Sequence, residues 1–497
     1  MFTDRGRRVR GELPPLVLNK IFPGLSVALA TLSLANAIRG EDIRTVTKGR
    51  EVGPLYRQLC ANCHGENLGG GKARSLTDNA WRFGGDDATI AKNIREGIPG
   101  AGMPGFAAAL SEAEAQSFVV FIREMATRKI DPQPKRADPV PFSNEIQRSE
   151  LHDFRFELIA TGLEVPWSIA FLPDGRMLVT ERAGRLRVIK DGRLQDEPIS
   201  GIPPVIEKGE GGLMCVLPHP DFARNQWLYL SFSDPGEGDT AMTKIVRGKL
   251  RDGKLAGVET IYGVPHENYQ KGHVNFGSRM LFDGDYLFFT IGERGAVGEA
   301  QDLKLPNGKV HRVFHDGKIP PDNPFVNTSG AVASIWSYGN RNPQGLARDP
   351  RNGELWETEH GPRGGDELNL IQRGKNYGWP VVTFGMNYDG TAITEHTEKP
   401  RMEQPVVNWT PSIAISPVTV STSDKFPKWK NQLLVGSLAQ QKLLRIVVEN
   451  GKATHQEEIF KNLGRVRDIQ TGPDGLIYLA FEPPGQPGRI VRLVPAK

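Results

Sequence analysis

One arrangement recurs six times between residues 171 and 480: a turn rich in Pro, Asp or Gly, a short run of β-forming residues, a polar corner and a second strand. It is plainest at 171–180, where Pro173, Asp174 and Gly175 turn the chain into Met177, Leu178, Val179 and Thr180, and a further run follows at 184–189. Related runs occupy 219–232, 282–291, 349–358, 429–435 and 473–480. A hairpin unit repeated every roughly 40 to 80 residues predicts a β-propeller, because each blade needs neighbours to bury its faces and closing the ring removes the sheet edges. A strand candidate at 154–160 is expected to complete the last blade. The 56 Gly and 37 Pro among 497 residues suit a turn-rich β fold and not a helix bundle.

Ahead of the propeller the chain changes character. Arg5, Arg7, Arg8, Arg10 and Lys20 precede an uncharged, mostly apolar stretch at 22–37 that ends in Ala35-Asn36-Ala37, the three parts of a secretory signal. Cleavage after Ala37 is expected, giving a periplasmic or otherwise exported protein; the stretch falls short of the ~20 apolar residues of a membrane span, and Pro23 interrupts it. No later stretch of the sequence is long and apolar enough to cross a bilayer. At 129–153, Pro132, Pro134, Pro139 and Pro141 stand among charged residues, the composition of a semi-rigid spacer. The chain thus reads as a signal peptide (1–37), a small domain (45–128), a linker (129–153) and a propeller (154–497). Sixty-two basic against 58 acidic residues are too evenly balanced for a nucleic-acid-binding surface.

The small domain carries Cys60-Ala61-Asn62-Cys63-His64, in which two thiols can form thioethers to haem while the adjacent histidine ligates iron. A zinc site would want a second Cys/His pair, and Cys215 is the only other cysteine. A redox dithiol would want a βαβ context that the flanks do not offer. Met103, set between Gly102 and Pro104 in a polar loop, is the candidate ligand opposite His64. Downstream, Ser111 and Glu114 make a capping box for a helix with an apolar stripe of Ala115, Phe118, Val119 and Ile122. Together with a helix around Leu55, Tyr56 and Leu59, this stretch resembles a class I cytochrome c, which implies a small all-α fold with covalent haem c.

Four propeller stretches, 209–222, 339–346, 359–369 with 376–380, and 465–469, resemble the soluble quinoprotein glucose and aldose sugar dehydrogenases. The most specific are Gly339-Asn340-Arg341-Asn342-Pro343 and Glu359-His360-Gly361-Pro362-Arg363-Gly364-Gly365-Asp366-Glu367. The resemblance implies six blades, pyrroloquinoline quinone (PQQ) with Ca2+, and oxidation of a sugar or polyol. PQQ is a flat tricarboxylate, and Arg341, Arg465 and Arg467 offer the planar forks that such a group needs, with Asn342 beside them. In the resembled family, the backbone carbonyls at positions matching Gly361 and Pro362 hold the catalytic calcium, an ion that takes oxygen ligands. Positions matching Glu367 and Tyr377 belong to a further calcium site there, and Trp409 matches an aromatic wall of the pocket.

The sequence departs from that family at three points. Its general base is a histidine four residues before an arginine, and the matching residue ahead of Arg279 is Asn275. A glutamine beside its active site is Glu210 here, and a quinone-binding lysine is Ala439. Glu210, or His273 on the same face as Asn275 if that segment is extended, are the candidate replacement bases. Two readings stand side by side: an enzyme that passes electrons from PQQ to haem c and on to a cytochrome or respiratory-chain component, and a propeller that has lost catalysis and serves as a binding module beside an electron-carrying or sensing haem.

Overall fold

The computed structural model describes residues 49–130 and 144–496. The signal peptide and most of the proline-rich linker lie outside the described residues. Between 154 and 495 the chain forms six four-stranded sheets, and every strand pairs antiparallel within its sheet. The sheets follow one another at 166–194, 213–262, 280–338, 343–409 and 415–460. The sixth combines three strands at 465–495 with Phe154–Leu163, which pairs Phe154 with Pro495 and Phe156 with Leu493. The ring is thus closed by a strand from the propeller's own beginning, as the apolar alternation at 154–160 implies.

Each of the six repeated runs ends in the second strand of a blade. At the first, Leu172 and Arg176 close the turn by a backbone hydrogen bond of 2.8 Å, and Gly175 takes φ +86°, a conformation that glycine adopts without strain. The alternating apolar residues of neighbouring blades meet between sheets. Phe154, Phe156, Trp429, Leu479 and Phe481 pack in one such layer, and Tyr229, Phe276, Leu287 and Phe289 in another.

Residues 49–130 are helical: α1 (Val52–Leu59), α2 (Ala61–His64), α3 (Asp87–Glu96) and α4 (Glu112–Ile130). The capping box is present, with Ser111 Oγ accepting from the Glu114 amide at 3.2 Å and Glu114 Oε2 accepting from the Ser111 amide at 3.0 Å. Ala115, Phe118, Val119 and Ile122 are buried with Leu55, Tyr56, Ile90 and Ile94.

The described residues of the helical domain and the propeller lie in one compact unit. Blade four supplies the contact. Its loop at 360–365 sends Arg363 to Glu124 of α4, Gly364 lies against Val120, and Met386 from the following long loop is buried in the helical core. The Gly390 carbonyl accepts from the Val52 amide at 3.0 Å, and the Glu395 carboxylate from the Ala113 amide at 3.1 Å.

Candidate active site

Segment 271–279 is not extended, which corrects the expectation that His273 and Asn275 share a strand face. Asn275, Gly277 and Ser278 have φ of +52°, +62° and +84°, and the strand begins only at Met280. The reason is local: the amide of Asn275 is held by Glu210 Oε2 at 2.8 Å and that of Gly277 by Asn342 Oδ1 at 3.0 Å, so side chains replace the ladder. Asn342 Nδ2 also reaches Glu210 at 3.4 Å. The His273 carbonyl accepts from the Glu210 amide at 2.8 Å, and its imidazole Nε2 lies 3.3 Å from Asp239. Asn275 Nδ2 donates to Glu293, a buried carboxylate that the motif analysis passed over. Its only sequence signal is a charged pair, Glu293-Arg294, flanked by Gly292 and Gly295 directly after a strand.

Arg341 is buried and donates to the carbonyls of His360 at 2.9 Å and Gly361 at 2.8 Å. Arg467 and Arg465 approach the single carboxylate of Glu482, at 2.5 Å and 3.3 Å. Burial, with Arg465 and Arg182 close by, lowers the Arg467 guanidinium to about 10 despite its pairing with Glu482. Burial likewise brings the His360 imidazole down to about 3, aided by Arg341, Arg465 and Arg467, so His360 is neutral, and its Nε2 is buried without a partner. Three guanidinium groups thus act on one imidazole, with Glu482 between Arg465 and Arg467, a cluster of planar donors that fits a polycarboxylate.

A Cβ on Gly361 would lie 2.2 Å from the Gly365 carbonyl and 2.4 Å from that of Gly364, so only glycine lets the loop close this tightly and bring carbonyl oxygens, the donors a hard cation takes, beside Gly361. Beneath the loop, Glu359 pairs across the strands with Glu367, and Glu357 with Asn369. Asn369 Nδ2 donates to Glu357 at 3.1 Å and to Glu367 at 3.2 Å. Burial, then repulsion from Glu359, raises Glu357 and Glu367 well above the usual carboxylate range, and burial raises Glu359 to about 7. No three His, Cys, Asp or Glu side chains among the described residues form a ready metal cage. The Tyr377 hydroxyl donates to the Leu370 carbonyl at 2.5 Å and accepts from the Gln372 amide at 2.8 Å, so it is committed to backbone. Trp409 is buried beside the loop, its carbonyl accepting from the Gly365 amide at 3.1 Å. Ala439 stands on the following blade, where its amide donates to the Ile413 carbonyl.

In the helical domain, Cys60 is half-buried, Cys63 is exposed and both are free thiols. Burial and the neighbouring Cys63 push the Cys60 thiol up to about 11. His64 Nδ1 lies 3.0 Å from the Arg74 carbonyl, a bond that fixes the ring and leaves Nε2 as the metal-binding atom. Cys60 and Met103 pack against the same apolar core. A thiol pair, a fixed imidazole and a thioether around one apolar core fit a haem.

A closed six-bladed propeller with a cluster of buried arginines, joined to a helical domain bearing Cys-x-x-Cys-His, defines a sugar dehydrogenase-like propeller with a cytochrome c domain. Residues 163–492 match the family model described as Glucose / Sorbosone dehydrogenase, and residues 47–122 that of Cytochrome C oxidase, cbb3-type, subunit III. The chain belongs to the Glucose / Sorbosone dehydrogenase family. Aldose sugar dehydrogenase YliI of Escherichia coli (strain K12) is 43% identical over 330 residues, 65% of this chain and 88% of that protein. The crystal structure of the soluble aldose sugar dehydrogenase from Escherichia coli in the apo-form superposes with a TM-score of 0.64 at 40% identity, covering 69% of this chain and 100% of that one. The PQQ-bound form of aldose sugar dehydrogenase from Streptomyces coelicolor gives a TM-score of 0.55 at 28% identity, over 69% and 98%. No helix among the described residues is long and apolar enough to cross a membrane.

Proposed function

We propose that the chain is an exported quinohaemoprotein that oxidises an aldose or related polyol with PQQ and Ca2+, uses covalent haem c as its internal electron carrier, and delivers electrons to a cytochrome or other respiratory component. The observation that carries this reading is the cluster of Arg341, Arg465 and Arg467 around the unpartnered Nε2 of His360, the residue that opens the loop contacting the cytochrome domain. Kinship with an aldose sugar dehydrogenase and with a PQQ-bound structure supports the substrate class and the cofactor.

When bound, PQQ supplies a two-electron acceptor for a hydrogen on a hydroxyl-bearing carbon. Arg341, Arg465 and Arg467 would hold its carboxylates, the carbonyls of Gly361 and Pro362 would hold calcium against it, and Trp409 would wall the pocket. Asn342, Glu210 and Asn275 interlock by hydrogen bonds and set the polar side of the pocket on which a sugar hydroxyl is oriented. Cys60 and Cys63 would bind haem as thioethers, with His64 and Met103 as axial ligands.

The replacement of the family's histidine by Asn275 and of its lysine by Ala439 favours a second reading, a sugar-binding propeller without turnover. Adding PQQ and Ca2+ to the haem-loaded protein and screening aldoses and polyols for haem reduction separates the two. Reduction by any of them establishes the enzyme, and binding without reduction establishes the binding module.

A further inference from the structure

The family's histidine is absent at 275, yet the structure holds a carboxylate directly behind that position. We propose that Glu293 is the proton acceptor of this dehydrogenase and that Asn275 is the residue that positions it. The assignment rests on the dehydrogenase reading above.

Glu293 is 2% exposed and stands on the turn after the inner strand Tyr286–Ile291. The carboxylate accepts from Asn275 Nδ2 through Oε1 and is further stabilised by the Gly295 amide, while Oε2 is buried and makes no hydrogen bond of good geometry. Its amide donates to the Arg341 carbonyl at 2.8 Å, tying it to the residue that lines the quinone pocket. The approach to Asn275 is enforced by backbone: a Cβ on Gly292 would lie 2.2 Å from the Asn275 carbonyl and 3.1 Å from Asn342 Oδ1. A free acceptor oxygen, fixed and shielded from water beside the reacting pocket, is what a general base requires.

Glu210 is exposed, and its Oε2 already accepts from the Asn275 amide at 2.8 Å and from Asn342 at 3.4 Å. His273 has both ring nitrogens free of hydrogen bonds, but its Nε2 is turned to Asp239 at 3.3 Å and not to Asn275 or Arg341. The amide of Asn275 cannot accept a proton near neutral pH, but it holds Glu293 in one rotamer, a role that its donor group alone can fill.

In the step assigned to Glu293, the O–H bond of the substrate's carbinol breaks and its proton goes to Oε2. The carbon-bound hydrogen leaves with its electron pair to the quinone, and the C–O bond becomes a carbonyl. The charged groups facing Glu293 are Arg341 and Arg294, with Glu210 beside Arg294 and Glu299 further along the loop. Burial raises the carboxyl above its ordinary range, against the opposing pull of Arg341 and the Asn275 bond.

The test compares E293Q, E293D, E210Q and wild type as full-length haem-loaded protein, reading haem reduction after addition of PQQ, Ca2+ and a sugar that wild type oxidises. E293Q is expected to lose about a hundredfold or more, E293D to recover at least a tenth of the wild-type rate, and E210Q to lose less than E293Q. Infrared titration of the quinone-free protein gives an independent readout: a protonated-carboxyl band titrating above the ordinary glutamate range, present in E210Q and missing in E293Q. An E293Q protein that binds PQQ and reduces haem within a few-fold of wild type overturns the assignment, as does an unaltered infrared band. If E293Q fails to bind PQQ, the E293D rate decides, and an E293D protein that binds PQQ yet keeps less than a tenth of the wild-type rate overturns it too. Wild type inert towards every sugar fails the dehydrogenase reading itself, and the base assignment falls with it.

Discussion

Arg363 grips Glu124 with two nitrogens: Nε lies 2.8 and 2.9 Å from the two carboxylate oxygens, and Nη2 lies 2.6 Å from Oε2. Arg363 directly follows Pro362, and Glu124 lies on the helix that forms the core of the cytochrome domain. One ion pair therefore joins the propeller loop at 360–365 to the cytochrome domain, and both partners are largely buried, at 21% and 15% side-chain exposure.

Removing the pair should loosen this junction. Glu124→Ala is expected to cost about 2 kcal/mol of domain association, the order of a charge-assisted pair of hydrogen bonds. The charge-swapped double variant R363E/E124R should recover part of it. Calorimetric unfolding checks this, since the single variant should separate the haem-domain transition from that of the propeller.

Haem ligation is tested at Met103. A Met103→Ala protein should keep covalent haem, because Cys60 and Cys63 are untouched, but lose the near-infrared absorption of the methionine–iron bond and fall in reduction potential. Optical spectroscopy with a redox titration reads both.

Calcium and quinone should bind together, since the carbonyls at Gly361 and Pro362 supply only part of an oxygen shell. Calorimetric titration with PQQ should weaken strongly after chelation. It should weaken by about tenfold or more in Arg467→Ala, which removes one fork from the pocket. Equal affinity with and without calcium would contradict the arrangement.

The raised carboxyl of Glu293 carries a stability consequence. Its protonated form is favoured in the folded protein, so its contribution is fully present below the ordinary glutamate range and is lost as pH rises through the folded value. Glu293→Gln, permanently neutral, should therefore raise the melting temperature at neutral and alkaline pH and leave it nearly unchanged near pH ~4. Thermal melts of the quinone-free protein across pH check the sign.

The propeller was legible because its signal is repeated: six hairpins with turn residues at similar offsets, and one orphan strand at 154–160 that could only close the ring. The cytochrome domain was legible because Cys60, Cys63 and His64 are contiguous and Ser111 and Glu114 cap a helix at fixed spacing. The active-site neighbourhood was not. Asn275 and His273 looked like partners on a strand, but three residues of positive φ among the four at 275–278 turn the segment away, and the side chains that hold it, Glu210 and Asn342, come from two other blades. Glu293 and His360 acquire their meaning only from burial and from what they face. The grip of Arg363 on Glu124 spans 239 positions, a pairing that no local pattern encodes.

The most direct test of the account is whether sugar electrons reach the haem within one chain. The full-length protein, loaded with haem and supplied with PQQ and Ca2+, is mixed with an aldose, and the α-band of reduced haem is followed over a range of protein concentrations. The account predicts sugar-dependent reduction whose rate constant is independent of protein concentration and is lost on chelation. A haem that stays oxidised although PQQ is bound, or a rate that scales with protein concentration, would contradict it.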